Sequence, residues 1–106
     1  MIVVVDLTGE PAAVTLVAPE DCTRFHVAVR GSDRPALAAA LSRTGVGHLL
    51  PTDDVMIDTA ALTRMAQGRV PDGWDEQFAG MLAYARGKGW IDDSGSRIQG
   101  HVEWET

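Results

Sequence analysis

Apolar residues recur at every second position in some stretches of this chain and at every third or fourth in others. The first rhythm belongs to a half-buried strand, the second to an amphipathic helix. Alternation is clearest over Thr23–Arg30, where Phe25, Val27 and Val29 interleave with Arg24, His26 and Arg30. Ile2–Leu7 and Ala12–Val17 read as two further strands. Thr8-Gly9-Glu10-Pro11 and Pro19-Glu20-Asp21-Cys22 between them carry turn chemistry. If the first turn sets Val5 opposite Val14 and Val3 opposite Leu16, the second can set Leu16 opposite Phe25 and Val14 opposite Val27. Directly opposed residues share a face, so both hairpins put their best apolar residues on one side. The expectation is a three-stranded antiparallel meander.

Three helices are expected next. Ser32 or Asp33 can cap the first, Pro35 suits its first turn and Gly45 can end it, with Leu37, Ala40 and Leu41 inward. The second takes Asp58 as its cap, turns Ala61, Leu62, Met65 and Ala66 inward, and stops at Gly68. The third runs from near Asp72 to Gly89 on Trp74, Phe78, Met81, Leu82 and Ala85. Its flank of Ala79, Gly80, Ala83 and Gly87 is small enough to admit another helix. Between the first two helices lie the short apolar runs Leu49–Leu50 and Val55–Ile57, at least one of them a strand.

A C-terminal hairpin closes the pattern, turning at Ser94-Gly95. It sets Asp92 opposite Arg97, Ile91 opposite Ile98 and Trp90 opposite Gln99. Ile91, Ile98, Val102 and Trp104 then face inward, while Trp90, Gln99, His101 and Glu103 share the polar face. No linker or repeat interrupts residues 1–106, which read as one α+β domain. Helix, helix and hairpin over residues 58–105 have an order that resembles a winged helix. Its reading helix would open with Asp75 and Glu76, the wrong sign for a phosphate backbone.

Charge strengthens that exclusion. The formal net charge is −6, and residues 51–106 hold ten acids against five bases. Nucleic-acid affinity comes chiefly from phosphates neutralised by Lys and Arg, so nucleic acid is not an expected partner. A single cysteine, Cys22, rules out an internal disulfide framework. The apolar start, Ile2–Val5, is too short for a signal peptide or membrane anchor, so a cytoplasmic, non-membrane protein is expected.

Candidate chemistry is sparse. His101 and Glu103 lie two apart on one strand face and offer an imidazole beside a carboxylate, yet no third metal ligand accompanies them. The acids Asp53, Asp54 and Asp58 lack the spacing of a calcium loop. No phosphate-cradling glycine motif or nucleophile motif is present. No catalytic residue, metal or cofactor is therefore expected, and the reading leans away from an enzyme.

Two surfaces remain. The second face of the meander carries Ile2, Val4 and Val17 beside His26, more apolar than a wet face should be. Either the protein's own helices cover it, or it is a contact surface. Trp90, with Gln99, His101 and Glu103, forms the other. The expected function is a protein-interaction or self-association module. The alternative is a small-ligand-binding protein or enzyme with a pocket near Trp90, His101 and Glu103.

Overall fold

Residues 1–105 are described by the computed structural model. Val3 and Val5 are fully buried while Ile2, Val4 and Asp6 are half-buried, the signature of a strand covered more heavily on one face. This strand, β1 (Ile2–Asp6), pairs antiparallel with β2 (Ala13–Val17) in the expected register, Val3 opposite Leu16 and Val5 opposite Val14. The third strand does not continue the meander. β3 (His26–Arg30) lies parallel to β1 on its other side, with Val27 opposite Val3 and Val29 opposite Val5. The expected all-antiparallel meander is thus a mixed sheet. Alternation fixes which face a side chain takes, and Val27 and Val29 face the core under either pairing. Burial decides between them: β1, written Ile-Val-Val-Val-Asp, is the most apolar strand of the three and gains most from neighbours on both sides. Phe25 and Arg24, expected in the strand, belong instead to the loop before it.

Among the described residues there are three more strands: β4 (Gly47–Leu49), β5 (Asp54–Asp58) and β6 (Arg97–Glu105). Both short apolar runs therefore reach a strand. The sheet order is β2-β1-β3-β6-β5-β4. β6 runs through its middle, antiparallel to β5 along residues 97–101 and parallel to β3 along 102–105. The C-terminal hairpin survives as a single bridge, Ile91 to Ile98, with the Gln99 N–H donating to the Trp90 carbonyl at 2.6 Å. Its register is the expected one, but a nine-residue strand with Ile98 and Val102 buried takes full-length partners in place of a short wing. The likeness to a winged helix ends there.

The helices are α1 (Arg34–Thr44), α2 (Thr59–Ala66) and α3 (Trp74–Gly87). Asp33 caps α1 by accepting the Ala36 N–H at 3.1 Å, and Gly45 ends it in the left-handed region. Asp58 makes no such bond to α2; its carboxylate accepts from Arg97 Nε at 3.1 Å instead. α3 starts after Gly73, a little later than expected. Leu41, Leu62 and Phe78, one from each helix, join Val5, Val29, Ile57 and Ile98 in one core. α1 lies against both β2 and β4, and α2 against β2 and β5. The sheet therefore curls until helices stand beside both edges, which shields β2, a strand with no charge of its own.

On the opposite, outer face Ala28 is buried and Ile2 and Val4 are half-buried. Val17 is 45% exposed, and His101 and Glu103 are exposed with it. No helix among the described residues is long and apolar enough to cross a membrane.

Candidate functional site

Because β3 sits beyond β1, residues 18–25 must cross the end of the sheet to reach it. The loop turns out of β2 at Ala18, whose φ of 50° is in the left-handed region. Three contacts fix its course. The Trp74 indole N–H donates to the Pro19 carbonyl at 2.7 Å, and the Met1 ammonium donates to the Asp21 and Arg24 carbonyls at 2.7 and 3.1 Å. Within the loop, the Thr23 N–H and hydroxyl both donate to the Asp21 carboxylate. That tightens the turn and holds the Asp21 carboxyl below the usual carboxylate range.

The loop so fixed stands apart from α3, and a cleft of about 550 Å³ opens between them. Phe25, Met81 and Ile98 line it from the core side, and Tyr84 and Trp90 from the solvent side. Glu20, Asp21, Arg24, Gln77 and Gln99 supply its polar groups. The Tyr84 and Trp90 rings meet at 64° with centroids 6.1 Å apart. They are 62% and 43% exposed and, with Val17, are the exposed large apolar side chains among the described residues. Gly80 lowers the wall on the helix side, so part of the small-residue flank of α3 serves the cleft. Phe25 rests on Gly100 of β6, where an added Cβ would stand 2.9 Å from its ring. The glycine gives that ring its seat.

A second, smaller cleft of about 170 Å³ adjoins the first, lined by Phe25, Asp54, Trp90, Gln99 and His101. The two share Phe25, Trp90 and Gln99. Of the residues singled out in the sequence, Trp90, Gln99 and His101 therefore come together here. Glu103 does not join them. The expected His101–Glu103 pair is split, because each takes a partner from a neighbouring strand: His101 Nδ1 lies 3.4 Å from Asp54, and Glu103 lies 3.6 Å from His26 Nε2. Ile2, Val4, Val17 and His26 lie with Glu103 on the outer sheet face.

Electrostatics around the clefts are correspondingly simple. The Thr52 hydroxyl donates to Asp54 at 2.8 Å and, with His101, holds that carboxyl below its ordinary range. Partial burial pushes the Cys22 thiol up, which keeps it protonated and a poor nucleophile. No group of three metal-ligating side chains occurs among the described residues.

Sequence reasoning missed Tyr84, Asp54 and Arg24 as members of this site. Tyr84 had a visible signal, a large aromatic lying off the inward stripe of Trp74, Phe78, Met81 and Ala85. Asp54 had none, since its approach to His101 depends on β5 pairing with β6. No family model, curated protein or solved structure matches this chain.

Proposed function

We propose that this protein is a non-catalytic binding module whose site is the cleft between residues 18–25 and α3. The observation that carries this reading is the siting of Tyr84 and Trp90, two of the three exposed large apolar side chains among the described residues, on its rim. Exposed aromatics cost free energy in water and are enriched where a partner is bound. The cleft volume falls within the roughly 300–1,000 Å³ of small-molecule sites. Its apolar walls and few polar groups suit a ligand with an apolar body and one polar end.

Nile red, a neutral dye that brightens in apolar surroundings, is expected to bind the native protein. Trp90→Ala is expected to lose most of that signal while unfolding within about 1 kcal/mol of the parent, as a surface truncation should. Dye binding that survives the substitution undiminished would place the apolar site elsewhere.

A second reading, self-association through the outer sheet face, is favoured by Val17 lying exposed beside the half-buried Ile2 and Val4. A second copy is the fitting occupant because a two-fold contact needs only one self-complementary patch. The face carries both signs, Arg30 beside Glu105, so a two-fold can match unlike charges. Sedimentation is expected to show a dimer that Val17→Asp dissociates. A monomer at every concentration would end this reading.

A further inference from the structure

The ladder between β3 and β6 breaks off beside the two clefts, and the bonds it leaves unmade lie at their junction. The strands pair in parallel from Val27 and Val102 to Arg30 and Glu105. Carried back by two residues, that register sets Phe25 beside Gly100, and the Phe25 ring does rest there. Odd-numbered residues of the two strands turn their backbone groups toward each other: at the far end, the Gly31 N–H donates to the Glu105 carbonyl at 3.1 Å. Around Gly100, the same pattern would send the Phe25 N–H to the Gln99 carbonyl and the His101 N–H to the Phe25 carbonyl. Neither bond forms among the described residues. Residues 90–92 do not supply the missing partner. The Gln99 N–H donates to the Trp90 carbonyl, but the Trp90 N–H that would return the bond donates to the Ala85 carbonyl at 2.9 Å. The Gln99 carbonyl and the His101 N–H thus share one edge of β6 with no partner among the described residues, and both residues line the smaller cleft.

Resting on the cleft reading above, we infer that the ligand is an extended peptide that pairs with β6 at this gap. In parallel pairing, the C=O and N–H that flank Gly100 take the N–H and C=O of one opposing residue. Strand addition of this kind draws affinity from the main chain and specificity from a side-chain pocket. Directly opposed residues share a face, so the peptide residue opposite Gly100 turns its side chain the way of Ile98 and Val102. On that side Phe25, Met81 and Ile98 wall the larger cleft, an apolar seat for an aromatic side chain. Charge selects neither sign. Glu20, Asp21 and Asp54 are met by the Met1 ammonium beside Asp21, by Arg24, and by the Lys88 ammonium over Tyr84. An uncharged amide backbone suits a site so balanced.

Two neutral probes of one shape isolate the main-chain bond: N-acetylphenylalanine N-methylamide, and its ester counterpart with oxygen in place of the phenylalanine N–H. Binding is read from the backbone N–H resonance of His101 and the indole N–H of Trp90. The indoles of Trp74 and Trp104, bonded to Pro19 and Asp53, serve as internal controls. The amide is expected to bind at millimolar concentration, at least about fivefold more tightly than the ester, and to move the His101 N–H downfield. Gln99→Ala keeps the carbonyl and should keep the preference. The inference is overturned if the ester binds as tightly, if the His101 N–H stays in place at saturation, if Gln99→Ala abolishes the preference, or if the amide does not bind. Where Nile red still binds in a Trp90-dependent way, those results remove only the peptide assignment. If the dye fails as well, the cleft itself is not the site.

Discussion

Trp74→Ala is expected to cost the protein about 3–5 kcal/mol of stability, the range for emptying a large aromatic from a core. Trp74 is 4% exposed and stacks on Phe78 with centroids 4.7 Å apart and planes 10° from parallel. Its indole N–H also holds the Pro19 carbonyl across 55 residues of sequence. Truncation removes the buried area, the stacking and the donor at once, and leaves that carbonyl unpaired. For a domain whose total stability is about 5–15 kcal/mol, the variant should unfold at a much lower urea concentration. Trp74→Phe isolates the polar part: it keeps a ring beside Phe78 and should cost about 1–2 kcal/mol. Because the lost bond fixes residues 18–25, even this milder variant should weaken Nile red binding. A loss below about 1 kcal/mol for Trp74→Ala would mean that α3 and the loop are not joined in this way.

Gly47→Ala is the second large effect, and its cause is purely steric. A Cβ at Gly47 would stand 2.0 Å from the Met56 carbonyl oxygen and 3.0 Å from its carbon. Both are backbone atoms of the paired strand β5, so no side-chain rotation relieves the overlap. β4 has only three residues and must pull away. The bonds at risk are those from the Leu50 N–H to the Asp54 carbonyl, 2.9 Å, and from the Asp58 N–H to the Val46 carbonyl, 2.8 Å. A loss of about 2–3 kcal/mol is expected, with faster hydrogen exchange at Leu50 and Asp58. Gly80→Ala is the control. It lies inside α3 with open space around it, so alanine should stabilise by about 0.5–1 kcal/mol. Equal stability of the Gly47→Ala variant and the parent would refute the β4–β5 pairing.

The candidate site divides along the same line as these two residues. Trp90, Gln99 and His101 were legible because a short hairpin puts residues of known parity on one face, and that parity held. Glu103 shared their parity but not their surroundings, since the neighbouring strand brought it His26. Phe25 was read as a strand residue facing the core. It is half-buried beside the core, and as part of the loop it reaches into both clefts. The cleft itself had no trace in the sequence, because its two walls, residues 20–25 and α3, are some 50 positions apart in the chain.

Local chemistry determined the elements: where alternation runs, where Asp33 and Gly45 bound a helix, and which side of each strand turns inward. These depend on neighbours within a few residues and on a side-chain period that any partner strand must respect. Tertiary structure alone decided who pairs with whom. β3 beside β1 and β6 at the centre of the sheet are choices between arrangements of equal parity, and total burial of apolar strands settles them. The cleft follows from that choice, since a loop has to cross the sheet end only when its two strands are not neighbours.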